Sequence, residues 1–183
     1  MNQHTNLLPI RIISKVVRGF GRGSKELGIP TANISRIDLS CSCGDWENLP
    51  TGIYWGFARI GEVKEDSNND DSVIGRVHTA AISIGYNPTY NNKEKTVEPH
   101  LIAPIGSPQR YLSCCNETQY GDFYDQTIVL SCIGYLRPEL PFEGIEKLTA
   151  AIKNDIKDSE KLAINSTPIT EQEMKWVEVG KEI

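Results

Sequence analysis

Over the first three quarters of the chain, apolar and β-branched residues gather in short runs bounded by glycine, proline and asparagine. Residues 10–17 (IRIISKVV), 52–61 (GIYWGFARIG), 77–85 (VHTAAISIG), 97–103 (VEPHLIA) and 126–134 (QTIVLSCIG) each predict a strand. Five or six strands at this spacing suit a small antiparallel barrel better than alternating βαβ units. Two polar, turn-rich stretches, 62–75 and 104–121, interrupt the rhythm and read as surface loops. After Pro141 the period changes: Ile145, Leu148, Ala151, Ile152 and Ile156 recur at helical spacing, which predicts an amphipathic helix packed on the barrel. Thr170 followed by Glu173 has the form of a capping box, predicting a last short helix over 171–179 with Trp176 as its docking residue.

Length and charge narrow the reading. A chain of 183 residues is one domain, here a barrel over about 10–136 with a helical segment over about 142–180. A net charge of -5 disfavours a protein built to neutralise a nucleic acid. The distribution is uneven, however. Residues 11–36 carry six basic groups (Arg11, Lys15, Arg18, Arg22, Lys25, Arg36) against Glu26 alone, the footprint expected for a small anionic ligand. Five cysteines, Cys41, Cys43, Cys114, Cys115 and Cys132, form neither a secreted disulfide framework nor a zinc ribbon and read as reduced structural thiols. No apolar run is long enough to span a membrane, and Arg11 and Lys15 interrupt the start where a signal peptide would be apolar. A cytoplasmic monomer is the expectation.

The chemistry concentrates in residues 17–33, VRGFGRGSKELGIPTAN. Alternating glycines let backbone N–H groups approach phosphate oxygens. The stretch is neither a Walker A loop nor a Rossmann fingerprint, and GFGRG alone reads more often as a flexible hairpin turn. PTAN adds to it: Thr31 and Asn33 project on one side of an extended strand, and hard oxygen donors suit Mg²⁺ held jointly with substrate phosphates. The plain alternative is a turn in which both side chains bond their own backbone. Glu98 is the single acid in an apolar strand, a position that more often faces solvent than performs catalysis. Arg137, held extended before Pro138, can stack on a planar heterocycle or form a surface ion pair with Glu139 or Glu143.

Taken in order, VVRGFGRGSKELGIPTAN, TGIYWG (51–56), SIGYNPTY (83–90), VEPHLI (97–102), DFYDQTI (122–128) and GYLRPE (134–139) resemble the riboflavin kinase family over about residues 10–160. The resemblance implies a mainly β fold, a closed six-stranded antiparallel Greek-key barrel with a C-terminal α-helix. It implies transfer of the ATP γ-phosphoryl group to the ribityl 5′-hydroxyl of riboflavin, with FMN and ADP as products. Carried over, it puts Gly19, Lys25, Thr31 and Asn33 on the nucleotide, and Thr31 and Asn33 at the Mg²⁺ or another divalent ion. Glu98 becomes the general base, Leu101 and Tyr124 line the nucleotide side, and Arg137, Leu140 and Phe142 lie against the flavin. Three departures stand out. Asp125 and Gln126 replace the glycine and acid of the family's FYGE, Pro99 removes a backbone donor beside Glu98, and the 104–121 loop is long. The few residues before Ile10 leave no room for an adenylyltransferase, so FMN is the expected end product. Two alternatives come from other classes. One is a non-catalytic flavin or nucleotide carrier; the other is an oligonucleotide-binding barrel that would use Tyr54, Trp55 and Phe57 as a stacking face.

Overall fold

The computed structural model describes residues 7–19, 31–62, 74–86, 93–103 and 123–180. The strands are β1 (Ile10–Val17), β2 (Asn33–Ile34), β3 (Ser40–Cys41), β4 (Gly52–Ile60), β5 (Val77–Gly85), β6 (Thr96–Leu101) and β7 (Thr127–Arg137). Two helices follow, α1 (Ile145–Ile164) and α2 (Pro168–Val179). The strands run β2-β1-β7-β4-β5-β6 across one antiparallel sheet, with β3 paired to β1 off that path. β4, β5 and β6 form a meander, and β7 returns to lie beside β4, the order that defines a Greek key. The sheet nearly closes: the Ala32 N–H donates to the Pro99 carbonyl at 2.9 Å, joining the β2 segment to β6. β6 ends the hydrogen-bonded path, which is where a strand can carry a proline.

Alternation along the strands separates an interior from an outer face. On β1, Ile10, Ile12 and Val16 enter the barrel core with Tyr54, Ala58 and Ile60 of β4, Ile82 and Ile84 of β5, Val97 of β6, and Ile128, Leu130 and Cys132 of β7. The intervening positions meet the helices. Phe57 and Val129 pack on Val177 of α2, and Ala81 and Ile102 pack on Ile156 of α1. β4 is therefore buried along its whole length. Its Tyr54, Trp55 and Phe57 are core residues, which removes the stacking face that an oligonucleotide-binding barrel would need. Two glycines permit the close approaches here. A Cβ on Gly56 would meet the Ser131 carbonyl at 1.8 Å, and one on Gly134 would meet the Trp55 indole nitrogen at 2.1 Å.

Polar groups fasten the helices. Glu173 of α2 is fully buried and accepts from Arg11 Nε and Nη2 at 3.0 and 2.8 Å and from the Ser131 hydroxyl at 2.8 Å. Arg59 donates to the Val177 and Gly61 carbonyls, placing a cation at the C-terminal end of α2. α2 begins one turn earlier than the Thr170/Glu173 pattern predicts. Thr167 is the N-cap, Pro168 opens the first turn, and Thr170 returns the reciprocal bond. Glu173 is taken up by Arg11 instead. Trp176 does dock, packing in the Phe57–Val177 cluster with the Arg11 guanidinium 4.9 Å from its ring centroid. No helix among the described residues is long and apolar enough to cross a membrane.

Candidate active site

The PTAN segment and β6 meet at the seam where the barrel closes. Asn33 pairs with Val17 and Ile34 with Val16, so Ala32 and Ile34 point into the core while Thr31 and Asn33 face outward. Val97 is likewise interior, which turns Glu98 outward onto the same face. The Thr31 hydroxyl donates to Glu98 Oε2 at 3.2 Å, and the Thr96 hydroxyl donates to Oε1 at 2.9 Å. Asn33 lies against Gly19: a Cβ there would sit 2.2 Å from the Asn33 amide nitrogen. Next to Gly19, the Arg18 guanidinium stands 4.7 Å from the centroid of the Tyr124 ring. Gly19, Thr31, Asn33, Glu98 and Tyr124 thus gather around one corner of the barrel. Leu101, three residues after Glu98, faces the other side of β6 and packs against the core. Lys25 lies outside the described residues, as do Arg22, Cys114, Cys115, residues 63–73 of the first long loop and the whole of the 104–121 loop.

The basic footprint is smaller than the charge count implies. Arg11 is consumed by Glu173, and Arg36 pairs with Glu47 at 2.6 Å on the surface. Arg18 and Lys15 are the two described members left on this side.

A second cluster stands at the other end of a row across the sheet. Glu98 pairs with Ser83, Ser83 with Ile53, and Ile53 with Arg137. Three strand spacings of about 4.8 Å separate Glu98 from Arg137 by roughly 14 Å on a shared face. Arg137 pairs with neither Glu139 nor Glu143. Its partner is Asp155 of α1, through Nε–Oδ1 at 2.8 Å and Nη2–Oδ2 at 2.6 Å. Burial pushes the Asp155 carboxyl up, against the pull of the Arg137 charge. Held this way, the guanidinium lies 5.5 Å from the Phe142 ring centroid. Glu139 instead accepts from the Tyr86 N–H at 3.0 Å, and its carboxylate occupies the space above Gly85, where a Cβ would be 1.7 Å away. Tyr86 and Leu140, 42% and 48% exposed, leave apolar surface beside these fixed charges. An aromatic ring, an arginine plane and two exposed apolar groups suit a flat heterocycle.

Three residues of this surface went unread in the sequence: Thr96, Asp155 and Tyr86. Thr96 had a signal, because two residues before Glu98 on a strand means the same face. Asp155 had one too: it interrupts the apolar stripe of α1 between Ile152 and Ile156, where a charge must find a partner.

The three described cysteines take structural places. Cys132 is in the core, while Cys41 and Cys43 pack against its edge. Hydrogen bonding from Cys43 pulls the Cys41 thiol down, whereas that bond and burial push Cys43 up, and burial raises Cys132. No metal-binding group of three or more His, Cys, Asp or Glu residues occurs among the described residues.

Known proteins agree with this arrangement. A family model described as riboflavin kinase (flavokinase) matches residues 7–163. The riboflavin kinase of Mus musculus is 39% identical over 158 residues, covering 84% of this chain and 81% of that protein. That of Aspergillus fumigatus is 36% identical over 165 residues, covering 84% and 75%. The crystal structure of riboflavin kinase from Trypanosoma brucei shares the fold, with a TM-score of 0.55 at 20% identity over 91% of this chain and 86% of that one. The family model and these relatives assign the chain to the riboflavin kinase family, the enzymes that phosphorylate riboflavin with ATP to give FMN.

Proposed function

We propose that Glu98 is the general base of the reaction, that Thr31 and Asn33 receive the nucleotide with its metal, and that Arg137, Leu140 and Phe142 hold the flavin. The observation that carries this reading is the Thr31–Glu98 hydrogen bond, which joins a base candidate to the PTAN segment, with Asn33 packed over Gly19 beside it. Riboflavin lying along the outer face, ring at Arg137 and ribityl chain toward β6, directs its terminal hydroxyl at Glu98. The carboxylate takes the hydroxyl proton, the oxygen bonds to the γ-phosphorus, and the bond to the β–γ bridging oxygen breaks as ADP departs. Phosphoryl transfer depends mainly on positioning and charge neutralisation, so these residues act chiefly by alignment.

The donor chemistry fits Mg²⁺. Thr31 and Asn33 supply neutral oxygens, and Mg²⁺ is commonly bound by few protein groups together with substrate phosphates and water. Bound there by Thr31 and Asn33, Mg²⁺ would supply charge neutralisation to the substrate phosphates. Gly19 leaves the backbone open beside Asn33, and Arg18 adds a cation on the same side. Tyr124 completes the nucleotide side in this reading, whereas Leu101, expected there, packs against the barrel core.

Glu98→Gln tests the assignment. Turnover should fall by about 10²- to 10⁴-fold, the usual range for a general base, while ATP affinity changes little. Near-normal ADP release by this variant, measured with riboflavin and Mg²⁺, would remove Glu98 from the mechanism. Omitting Mg²⁺ should abolish riboflavin-dependent ADP release in the parent chain.

A further inference from the structure

The two oxygens of Glu98 are held by hydroxyls with different obligations. Thr31, which reaches Oε2 at 3.2 Å, sits on the nucleotide side and is needed there as an oxygen donor. Thr96, which reaches Oε1 at 2.9 Å, lies on the same strand as Glu98 and pairs with Gly85 of β5, so the backbone fixes its separation from the carboxylate. A β-branched side chain has little freedom at χ1. Its hydroxyl also reaches the Gly85 carbonyl, at the longer distance of 3.4 Å.

We propose that Thr96 is a positioning residue that fixes the orientation of the Glu98 carboxylate. This rests on the reading of Glu98 as the base. The proton leaves the ribityl hydroxyl oxygen for the Glu98 carboxylate. The electron pair released on that oxygen forms the bond to γ-phosphorus, and the pair of the broken P–O bond leaves on ADP.

The test uses the full chain with Thr96→Val, Thr96→Ser, Glu98→Gln and the Thr96→Val/Glu98→Gln pair. Thr96→Val keeps the β-branched shape and loses the donor, so kcat should fall about 10- to 100-fold, the scale of one hydrogen bond to a charged group. KM for ATP and for riboflavin should stay within about 2-fold, because Thr96 touches neither substrate. Thr96→Ser restores the donor and should stay within about 3-fold of the parent. In the Glu98→Gln background, Thr96→Val should cost less than about 2-fold more, since the two act as a unit. Thermal melts accompany each variant. If the valine variant does not fold, Thr96→Ala against Thr96→Ser reads the same hydroxyl. Parent-like kcat for the donor-less variant, or an equal loss in Thr96→Ser, overturns the role of Thr96 while leaving Glu98 standing. Parent-like kcat for Glu98→Gln overturns the base itself.

Discussion

Arg11 offers the sharpest test of how charge is used in this fold. Its guanidinium makes two hydrogen bonds to Glu173, a carboxylate with no exposed surface, while Arg11 itself is 26% exposed. Arg11→Met leaves that carboxylate with the Ser131 hydroxyl and a longer Gln172 contact. Removing one partner of a buried ion pair costs about 3–5 kcal/mol, and water entering beside residue 11 favours the lower end, about 3 kcal/mol. For a chain of this size each kcal/mol moves the midpoint by about 2–4 °C, so thermal unfolding followed by circular dichroism should drop by about 6–12 °C. Adding Glu173→Gln removes the stranded charge while keeping an acceptor for Ser131, and should recover about 2 kcal/mol. KM for ATP at a temperature well below the melt should match the parent. An unchanged midpoint, or no recovery in the double variant, would refute the buried-pair argument, and a raised ATP KM would return Arg11 to the ligand footprint.

Other outcomes follow from single features. Asp125 has φ 65° where the family has glycine, so Asp125→Gly should stabilise by about 0.5–1 kcal/mol in urea unfolding. Arg137→Gln removes the pull that opposes burial at Asp155, driving its folded-state pKa further above the unfolded value of about 3.9. A carboxyl raised on folding loses stability as pH rises above that value, so this variant should be hurt more at pH 7.5 than at pH 5 in paired melts. Its riboflavin KM should also rise, read by steady-state kinetics. Mass-resolved alkylation of the native chain should modify Cys41 before Cys132, because the first thiol is shifted down and half-buried while the second is in the core.

The long strands were legible because each carries an unambiguous period. The expected 10–17 and 77–85 match β1 and β5, and β4, β6 and β7 differ only at their ends. β2 and β3, two residues each, offer no period to read; pairing with β1 defines them. The start of α2 was misplaced because two overlapping threonines can each cap, and only the burial of Glu173 decides between them. Thr31, Asn33 and Glu98 were found through family motifs; their meeting on one face depends on strand pairing that no local pattern encodes. Long-range ion pairs were the least legible. Arg11 and Arg137 find acids 162 and 18 positions away, and composition counts them as if they were free.

The Ala32–Pro99 contact has a consequence for how the catalytic corner assembles. Proline cannot return a second bond, so the barrel is zipped here by a thin stitch, whereas β1–β7, β7–β4, β4–β5 and β5–β6 are joined by long ladders. The residues flanking that stitch are Thr31 and Glu98. The bond that completes the cylinder is therefore also the one that holds the Thr31 hydroxyl within reach of the Glu98 carboxylate.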